Sequence, residues 1–397
     1  MKKLTDNQKA VVSGTNRKAL LLSICVGAFA LIVYLIPSPI DPKPFRFDKP
    51  PPKLEGPLAP NFNLQKARKL FEGKVAGPES FAVDKNGKIY TGGSDGKIWG
   101  FQSGQIQLVA ITGKNHSNCG SFELEPVCGR PKGMKVDKGG NLIVADAYLG
   151  LLKVSLPAGN IQVLIPNNKG LGGVPFKFLN GLDMSEDDVV YFTDSSTKWD
   201  RRHHKYEVIE TNNYGRLFEY DLKTGRSKVL LSELYLASGV ALSSDESYLL
   251  VSEMSVCRIQ KYYLKGPKVG KSELLLDNLP GYPDNIRLNS RGNFYVGLAS
   301  VRYEGSGVTK PFLDVVAPFP AVKRFVAKVL PFWVYSIFLP KHSMLLEITG
   351  DGAILGSHHD PTADVLSGIS EGFQYLDKVY IGHFASTFIG EISVNDL

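Results

Sequence analysis

One motif recurs six times along this chain, and it constrains the fold more strongly than any other feature. Each copy contains a polar residue, a small residue, an alternating apolar step, a turn and a second run rich in Tyr, Val and Ile. Period-2 alternation on both sides of a turn is typical of a β-hairpin. Six hairpins in one register indicate six equivalent structural units. The polar residues that begin the copies are Glu79, Lys132, Asn180, Ser238, Asp284 and Glu371.

The spacing of these units predicts the architecture. Further strand-like segments follow each hairpin, for example at residues 150–154 and 215–220, so each unit contains about four strands. Units of roughly 45 to 55 residues without a helical period fit propeller blades better than βαβ units. The sequence therefore predicts an all-β, six-bladed β-propeller over residues 60–397, with an insertion in the fifth blade at about 302–342. Residues 63–72 are predicted to complete the last blade, because closure removes a free sheet edge.

The N-terminal region predicts a membrane anchor. Residues 19–36 form an uncharged apolar run that is just long enough to span a bilayer. The preceding tail, residues 1–18, has five basic residues against one acid, which indicates a cytoplasmic N-terminus. A cleaved signal peptide is the alternative, but no small-x-small cleavage site follows the run. Residues 37–59 are rich in proline and predict a stiff stalk.

These features predict a single-pass type II membrane protein whose propeller is lumenal or extracellular, in the plasma membrane or the endoplasmic reticulum. Cysteine usage fits an oxidising compartment, because Cys119 and Cys128 lie in one polar loop without a metal-binding spacing and predict a disulfide. Asn115 begins the Asn-His-Ser sequon beside that loop and is predicted to be glycosylated. Cys257 is predicted to be a buried free thiol.

The composition excludes some functions. The net charge of +7 is modest, and the chain has no basic stripe with interleaved aromatic residues, so nucleic acid is not an expected partner. No Gly-x-Ser-x-Gly elbow and no P-loop occur, so serine-esterase and nucleotide chemistry lack support. The basic loop 201–205, with His203 and His204, is predicted to be solvated; the alternative is that the two histidines contribute to the mouth of a site. His358 and His359 are predicted to lie in a surface turn.

The polar residues that begin the six copies predict a candidate site. In a propeller the innermost strand of each blade lines the central channel, so these side chains converge on the axis. Carboxylate, amide and hydroxyl oxygens in such a cluster favour calcium over zinc. The alternative is a solvated channel without an ion, in which the Lys132 ammonium balances the acids.

The chain resembles the strictosidine synthase-like, adipocyte plasma membrane-associated protein family and, more distantly, the paraoxonases. The resemblance implies a channel calcium, with Glu79, Asn180, Asp284 and Asn285 at ligand positions and Ser238 where paraoxonases have Asn. It also matches Glu371 with the glutamate on which strictosidine synthase relies, whereas the catalytic His of the paraoxonase second blade has no counterpart. The stretches that carry the resemblance are residues 77–80, 128–133, 178–182, 191–196, 280–286 and 345–348.

Three functions follow as alternatives. The first is a calcium-dependent, arylesterase- or lactonase-like hydrolase of small esters, in which calcium polarises the carbonyl group and Glu371 or His383 transfers protons. The second is a non-enzymatic, membrane-anchored binding or adhesion ectodomain. The third is a condensation of the strictosidine synthase type. Residues 312–339 in the insertion predict a lid over the channel, an interfacial membrane helix or a packed helical excursion.

Overall fold

The computed structural model describes residues 6–307 and 310–397, with side chains from residue 18 onward except that of residue 338. In these residues six four-stranded antiparallel sheets surround one axis, which confirms the predicted β-propeller. Each sheet begins with its innermost strand. The first three blades contain the strands β2 (Phe81–Val83), β3 (Ile89–Gly92), β4 (Lys97–Gln102), β5 (Gln105–Ile111); β6 (Pro131–Val136), β7 (Leu142–Asp146), β8 (Gly150–Val154), β9 (Ile161–Pro166); and β10 (Leu179–Met184), β11 (Val189–Asp194), β12 (Gly215–Asp221), β13 (Ser227–Leu234).

The remaining three blades follow in chain order. They contain the strands β14 (Ala237–Leu242), β15 (Tyr248–Glu253), β16 (Arg258–Tyr263), β17 (Ser272–Leu276); β18 (Gly281–Leu288), β19 (Phe294–Val301), β20 (Ser343–Ile348), β21 (Ile354–Asp360); and β22 (Glu371–Tyr375), β23 (Lys378–Gly382), β24 (Ile389–Ser393), with β1 (Arg68–Leu70) as the outer strand of the sixth blade.

The ring closes through an N-terminal strand, as predicted. Strand β1 pairs antiparallel with β24, and Lys69 lies opposite Gly390 in the ladder. The pairing segment is shorter than the predicted range of 63–72, because residues Asn63–Lys66 form a 3₁₀ turn instead. Closure therefore joins the two ends of the propeller domain in one sheet.

Glycines in the second register let the inner strands converge. A Cβ on Gly181 would lie 2.4 Å from the Ser238 carbonyl oxygen, and one on Gly239 would lie 2.5 Å from the Cα of Asn285. These distances are far below van der Waals contact, so only glycine permits this approach of neighbouring inner strands. The close approach brings the preceding polar residue of each strand to the channel.

The hydrophobic core lies between adjacent blades. Phe176, Phe192 and Phe218 form one aromatic cluster there, with ring centroids 5.1–5.9 Å apart. Cys257 is buried and unpaired, which confirms its prediction as a free thiol. His358 and His359 also lie in the interior, on β21 and not in a surface turn, so that prediction is wrong.

Five α-helices accompany the sheets in the described residues. The fifth-blade insertion lies between β19 and β20, where it was predicted, and ends in a 3₁₀ segment at Phe332–Phe338. The α-helices are α1 (Asp6–Leu35), α2 (Glu125–Cys128), α3 (His204–Glu210), α4 (Phe312–Val316) and α5 (Pro320–Val329).

Helix α1 contains a segment, residues 18–35, that is long and apolar enough to cross a membrane. The proline-rich segment that follows it does not stand away from the propeller. The Phe45 amide donates to the Ala317 carbonyl at 3.0 Å, and the Glu304 amide donates to the Pro52 carbonyl at 2.9 Å. Ile40 is only 2% exposed. The segment therefore runs along the propeller and the insertion, so its prolines give an extended strap instead of a free spacer.

Candidate functional site

A cavity of about 170 Å³ lies at the mouth of the central channel. The insertion and helix α3 cover it with mainly apolar side chains, among them Leu313, Tyr335 and Ile209. An apolar cavity of this size matches a small molecule, since an engineered cavity of about 150 Å³ holds benzene. Four polar residues form its base, and all four begin copies of the repeated motif: Glu79, Lys132, Asn180 and Asp284.

The charged part of the base is an ion-paired group. The Lys132 ammonium donates to Oε1 of Glu79, and both side chains are almost completely buried. Nη2 of Arg130 lies 3.3 Å from Oε2 of the same carboxylate. The Lys132 Nζ also lies 5.3 Å from the centre of the Phe178 ring, which is a cation–π distance. Glu79 is therefore held between two cations.

The remaining part of the base is a hydrogen-bonded chain. Nδ2 of Asn180 donates to the hydroxyls of Ser195 at 2.9 Å and Ser238 at 3.0 Å. The Ser238 hydroxyl in turn donates to Oδ1 of Asp284. Oδ1 of Asn180 is buried and has no hydrogen-bond partner within the described part of the chain. The base therefore has one acceptor available for a bound molecule.

Burial and neighbouring charges separate the two carboxyl groups of the base. Burial raises the pKa of Asp284, and the nearby Glu79 carboxylate raises it further. Burial also acts on Glu79, but Lys132 and Arg130 outweigh it and hold the pKa of that group below its ordinary value. Burial lowers the pKa of Lys132. Two carboxyl groups with opposite shifts are an arrangement that acid–base chemistry uses.

The other predicted site residues lie outside the cavity lining. Glu371 is buried in the channel, where its Oε2 lies 2.9 Å from Nε of Arg287 and its Oε1 accepts from the Phe81 amide at 2.9 Å. The backbone amide of Asn285 donates to the Ser370 carbonyl at 2.9 Å. Neither side chain reaches the cavity.

His383 lies one residue from the cavity. Its ring stacks on Phe384, which does line the cavity, with centroids 4.8 Å apart. Nδ1 accepts from the Ala385 amide at 3.2 Å, and burial lowers the pKa of the imidazole to about 4. The structure therefore brings Glu79, Asn180, Ser238 and Asp284 together and leaves Glu371, Asn285 and His383 beside them.

The sequence of this chain is similar, over most of its length, to proteins of a known family. The family described as "Strictosidine synthase" matches residues 180–267, and "Strictosidine synthase-like, N-terminal" matches residues 56–101. The adipocyte plasma membrane-associated protein of Gallus gallus is 40% identical over 361 residues, which cover 91% of this chain and 85% of that protein. This chain belongs to the adipocyte plasma membrane-associated protein family. The resemblance inferred from the sequence is confirmed.

Solved structures share the fold of this family member. A gluconolactonase of Xanthomonas campestris superposes with a TM-score of 0.55 at 13% identity, covering 90% of this chain and 99% of that one. Regucalcin of Agrobacterium tumefaciens, a calcium-binding protein, superposes with a TM-score of 0.52 at 11% identity, covering 82% and 92%. At such identities the likeness shows the propeller fold alone.

The base of the cavity does not fit a calcium ion as it stands. Calcium needs six to eight oxygen ligands around one point. Here the Lys132 ammonium already donates a hydrogen bond to the Glu79 carboxylate. The Ser238 hydroxyl donates to Asp284, so its hydrogen lies on the side of that carboxylate. The ammonium thus provides the positive charge that the acids require.

The basic loop 201–205 is not simply solvated. Arg201, His204 and Lys205 line the cavity, so the prediction of a solvated loop is wrong for these three, and His204 agrees with the alternative of a residue at a site mouth. Nδ1 of His204 lies 3.1 Å from the Arg201 carbonyl oxygen and must carry the proton, because a carbonyl only accepts. Burial and the nearby Arg201 and Lys205 lower the pKa of His204 to about 3.

A signal for this placement was present in the sequence. The connection between β11 and β12 spans residues 195–214 and therefore exceeds a hairpin turn. It joins the second and third strands of its blade, as the insertion does in the fifth blade. Both long connections consequently lie on the same face of the propeller, where they cover the channel mouth together.

Proposed function

We propose that this family member hydrolyses small esters or lactones in the cavity at the channel mouth, without a resident metal. The observation that carries the proposal is the position of the buried group Glu79, Lys132 and Asp284 at the base of an otherwise apolar cavity. Apolar pockets with a few convergent polar groups are typical small-molecule sites. The apolar walls would hold the hydrocarbon part of the substrate, and the base would hold its carbonyl group.

The residues at the base have complementary roles in this proposal. The Lys132 ammonium would donate a hydrogen bond to the carbonyl oxygen and stabilise the negative charge that develops there. Asp284 would accept a proton from the attacking water and return it to the leaving alkoxide. Glu79 would hold Lys132 in position, and Arg130 would hold Glu79. Oδ1 of Asn180, which lacks a partner in the described chain, would accept from the water.

Calcium binding remains a prediction from the resemblance. The ion would need Glu79, Asn180, Asp284, Asn285 and Ser238 as ligands, and Lys132 would have to leave Glu79 first. A non-enzymatic binding ectodomain is the second candidate function, because a mainly apolar cavity can hold a ligand without converting it. A condensation of the strictosidine synthase type would need Glu371 free, whereas its carboxylate is paired with Arg287.

The proposal includes the membrane orientation. Helix α1 would span the bilayer with its basic N-terminal flank in the cytoplasm, so the propeller would be lumenal or extracellular. Asn115 lies exposed in a loop, where a glycosylating enzyme would reach it. In the same loop region the structure joins Cys119 to Cys128, as predicted.

The direct test is an assay of the full chain in lipid nanodiscs against aryl esters and lactones, with calcium or with chelator. We expect turnover in both conditions, and a loss in kcat of about a hundredfold or more for Asp284→Asn, the magnitude of a lost general base. Asp187→Asn serves as the matched control, because that carboxylate is 82% exposed and remote from the cavity.

The outcomes separate the alternatives. Turnover that Asp284→Asn leaves unchanged would contradict the assignment of the site. If no substrate is converted but a substrate analogue shifts the melting temperature, the propeller is a binding module. Activity that chelator abolishes would contradict catalysis without a metal and would support the hypothesis of a calcium-dependent hydrolase.

A further inference from the structure

The fifth-blade insertion presents an apolar face to the outside. Val322 and Phe325, three residues apart, share one side of α5, and exposed apolar side chains also occur in α4, before α5 and in the following 3₁₀ segment. On the opposite side, Val316, Ala327 and Tyr335 are buried against the propeller. The exposed side chains, called here the insertion face, are 41–68% exposed: Val315, Phe319, Val322, Phe325, Trp333 and Ile337.

The insertion face is joined to the end of the membrane-spanning candidate. Nζ of Lys328, in the last turn of α5, donates to the carbonyl oxygens of Val33 at 3.0 Å and Tyr34 at 3.4 Å. These carbonyls belong to the last turn of α1, where helix carbonyls lack intrahelical donors. An ion pair between Arg324 and Asp41, at 2.7 Å, holds α5 to the segment that follows α1.

We propose that the insertion face lies in the surface of the same bilayer that α1 crosses. The inference goes beyond the proposed hydrolysis and rests on the proposed anchoring by α1. Helix α5 has 10 residues and is therefore about 15 Å long, and its last turn contacts the last turn of α1, so its apolar side lies within that distance of the point at which α1 leaves the membrane. Any other occupant would have to displace lipid from this position.

Charge and composition also favour a lipid surface. Arg324 and Lys328 lie beside the apolar side chains, and helices that lie in a membrane interface carry cations next to their apolar side. Trp333 and the two phenylalanines of the insertion face are residues that membrane interfaces accommodate. Leu313, Tyr335 and Leu339 of the same insertion line the cavity. The docked insertion thus places the cavity directly beside the bilayer.

Site-directed spin labelling of the full chain tests this docking. The background is Cys25→Ser, because Cys25 is the exposed free thiol on α1, whereas Cys257 is buried. Nitroxides at Phe325→Cys and Ile337→Cys probe the insertion face, in nanodiscs of phosphatidylcholine and phosphatidylserine. Phe29→Cys on α1 is the lipid control. Leu376→Cys is the water control, because this 73% exposed residue lies in the β22–β23 turn on the opposite face of the propeller.

Power saturation with oxygen and with a water-soluble nickel chelate reports the environment of each label. We expect labels at 325 and 337 to be more accessible to oxygen than to nickel, as at 29, and the label at 376 to show the reverse. Labels at 325 and 337 that behave like 376, while 29 is in lipid, would overturn the docking alone. A label at 29 that is also in water would overturn the anchoring and the docking with it. Unchanged melting temperatures verify that each labelled chain is folded.

Discussion

Four buried or partly buried histidines have a pKa far below the ordinary value of the side chain. His204 lines the cavity, His383 lies beside it, and His358 and His359 lie in β21. Burial is the main cause in each case and lowers the pKa to about 3 for His204 and to about 4 for the other three. In the unfolded chain a histidine titrates at about 6.5. Each of these groups is therefore neutral in the folded protein across most of the physiological range.

This difference predicts acid lability. A folded pKa below the unfolded value gives a contribution to stability that is present above pH 6.5 and is lost as the pH falls toward about 4. Each such histidine lowers the free energy of unfolding by up to about 1.4 kcal/mol per pH unit in that window. Melting curves of the full chain from pH 7.5 to pH 4.5 measure the loss.

A matched pair of variants assigns the effect. His383→Gln should flatten the pH dependence, because glutamine takes up no proton on unfolding. His116→Gln should leave it unchanged, because His116 is exposed. Identical slopes for the two variants would show that His383 does not contribute.

At the same scale, the repeat predicted the base of the cavity but not its walls. Glu79, Asn180 and Asp284 share one register in three blades, and a register in equivalent strands fixes a position in space. The repeat placed Lys132 among the acids and allowed its ammonium to balance them, but its pairing with Glu79 in particular depends on side-chain conformation. The position of His204 at the cavity stayed an alternative, because the path of its long loop is set by tertiary contacts.

At the scale of elements, two short helices support the site: α2, in the connection between β5 and β6, and α3, in the connection between β11 and β12. Helix α2 places Glu125 so that it accepts from Nη2 of Arg201 at 2.8 Å, and Arg201 belongs to the connection that carries α3. Nη1 of Arg130 lies 3.7 Å from the same carboxylate. The loop closed by Cys119 and Cys128 therefore supports the ion pairs that reach the cavity. Alternation in strands was predictable from the sequence, whereas the docking of these connections was not.

The disulfide should stabilise this loop. The bond joins residues separated by 9 positions, and loop-closure entropy gives about 2–3 kcal/mol for such a link. We expect the double variant Cys119→Ser, Cys128→Ser to lose about that free energy of unfolding in chemical denaturation. Cys25→Ser controls for loss of a thiol without loss of a bond, because Cys25 is exposed. A double variant as stable as the wild type under both oxidising and reducing conditions would contradict the prediction.

At the scale of the whole molecule, the propeller converts a repeated motif into one polar centre. Six inner strands meet at the axis, so a single residue in one blade can change what the channel holds. In the second blade that residue is Lys132, whose ammonium contacts Glu79. Closure by β1 fixes the ring, and the connections of two blades cover one end of it. Lys132 thus supplies the positive charge that a calcium ion would otherwise provide.

Calcium titration of the wild type and of Lys132→Asn tests this claim most directly, by calorimetry and by melting temperature in calcium against chelator. We predict no calcium-dependent shift for the wild type. Lys132→Asn should gain one, because it removes the ammonium from Oε1 of Glu79 and adds an amide oxygen, and an ion that binds only the folded state stabilises it by mass action. Stoichiometric calcium binding by the wild type, with a melting temperature that chelator lowers, would contradict the account.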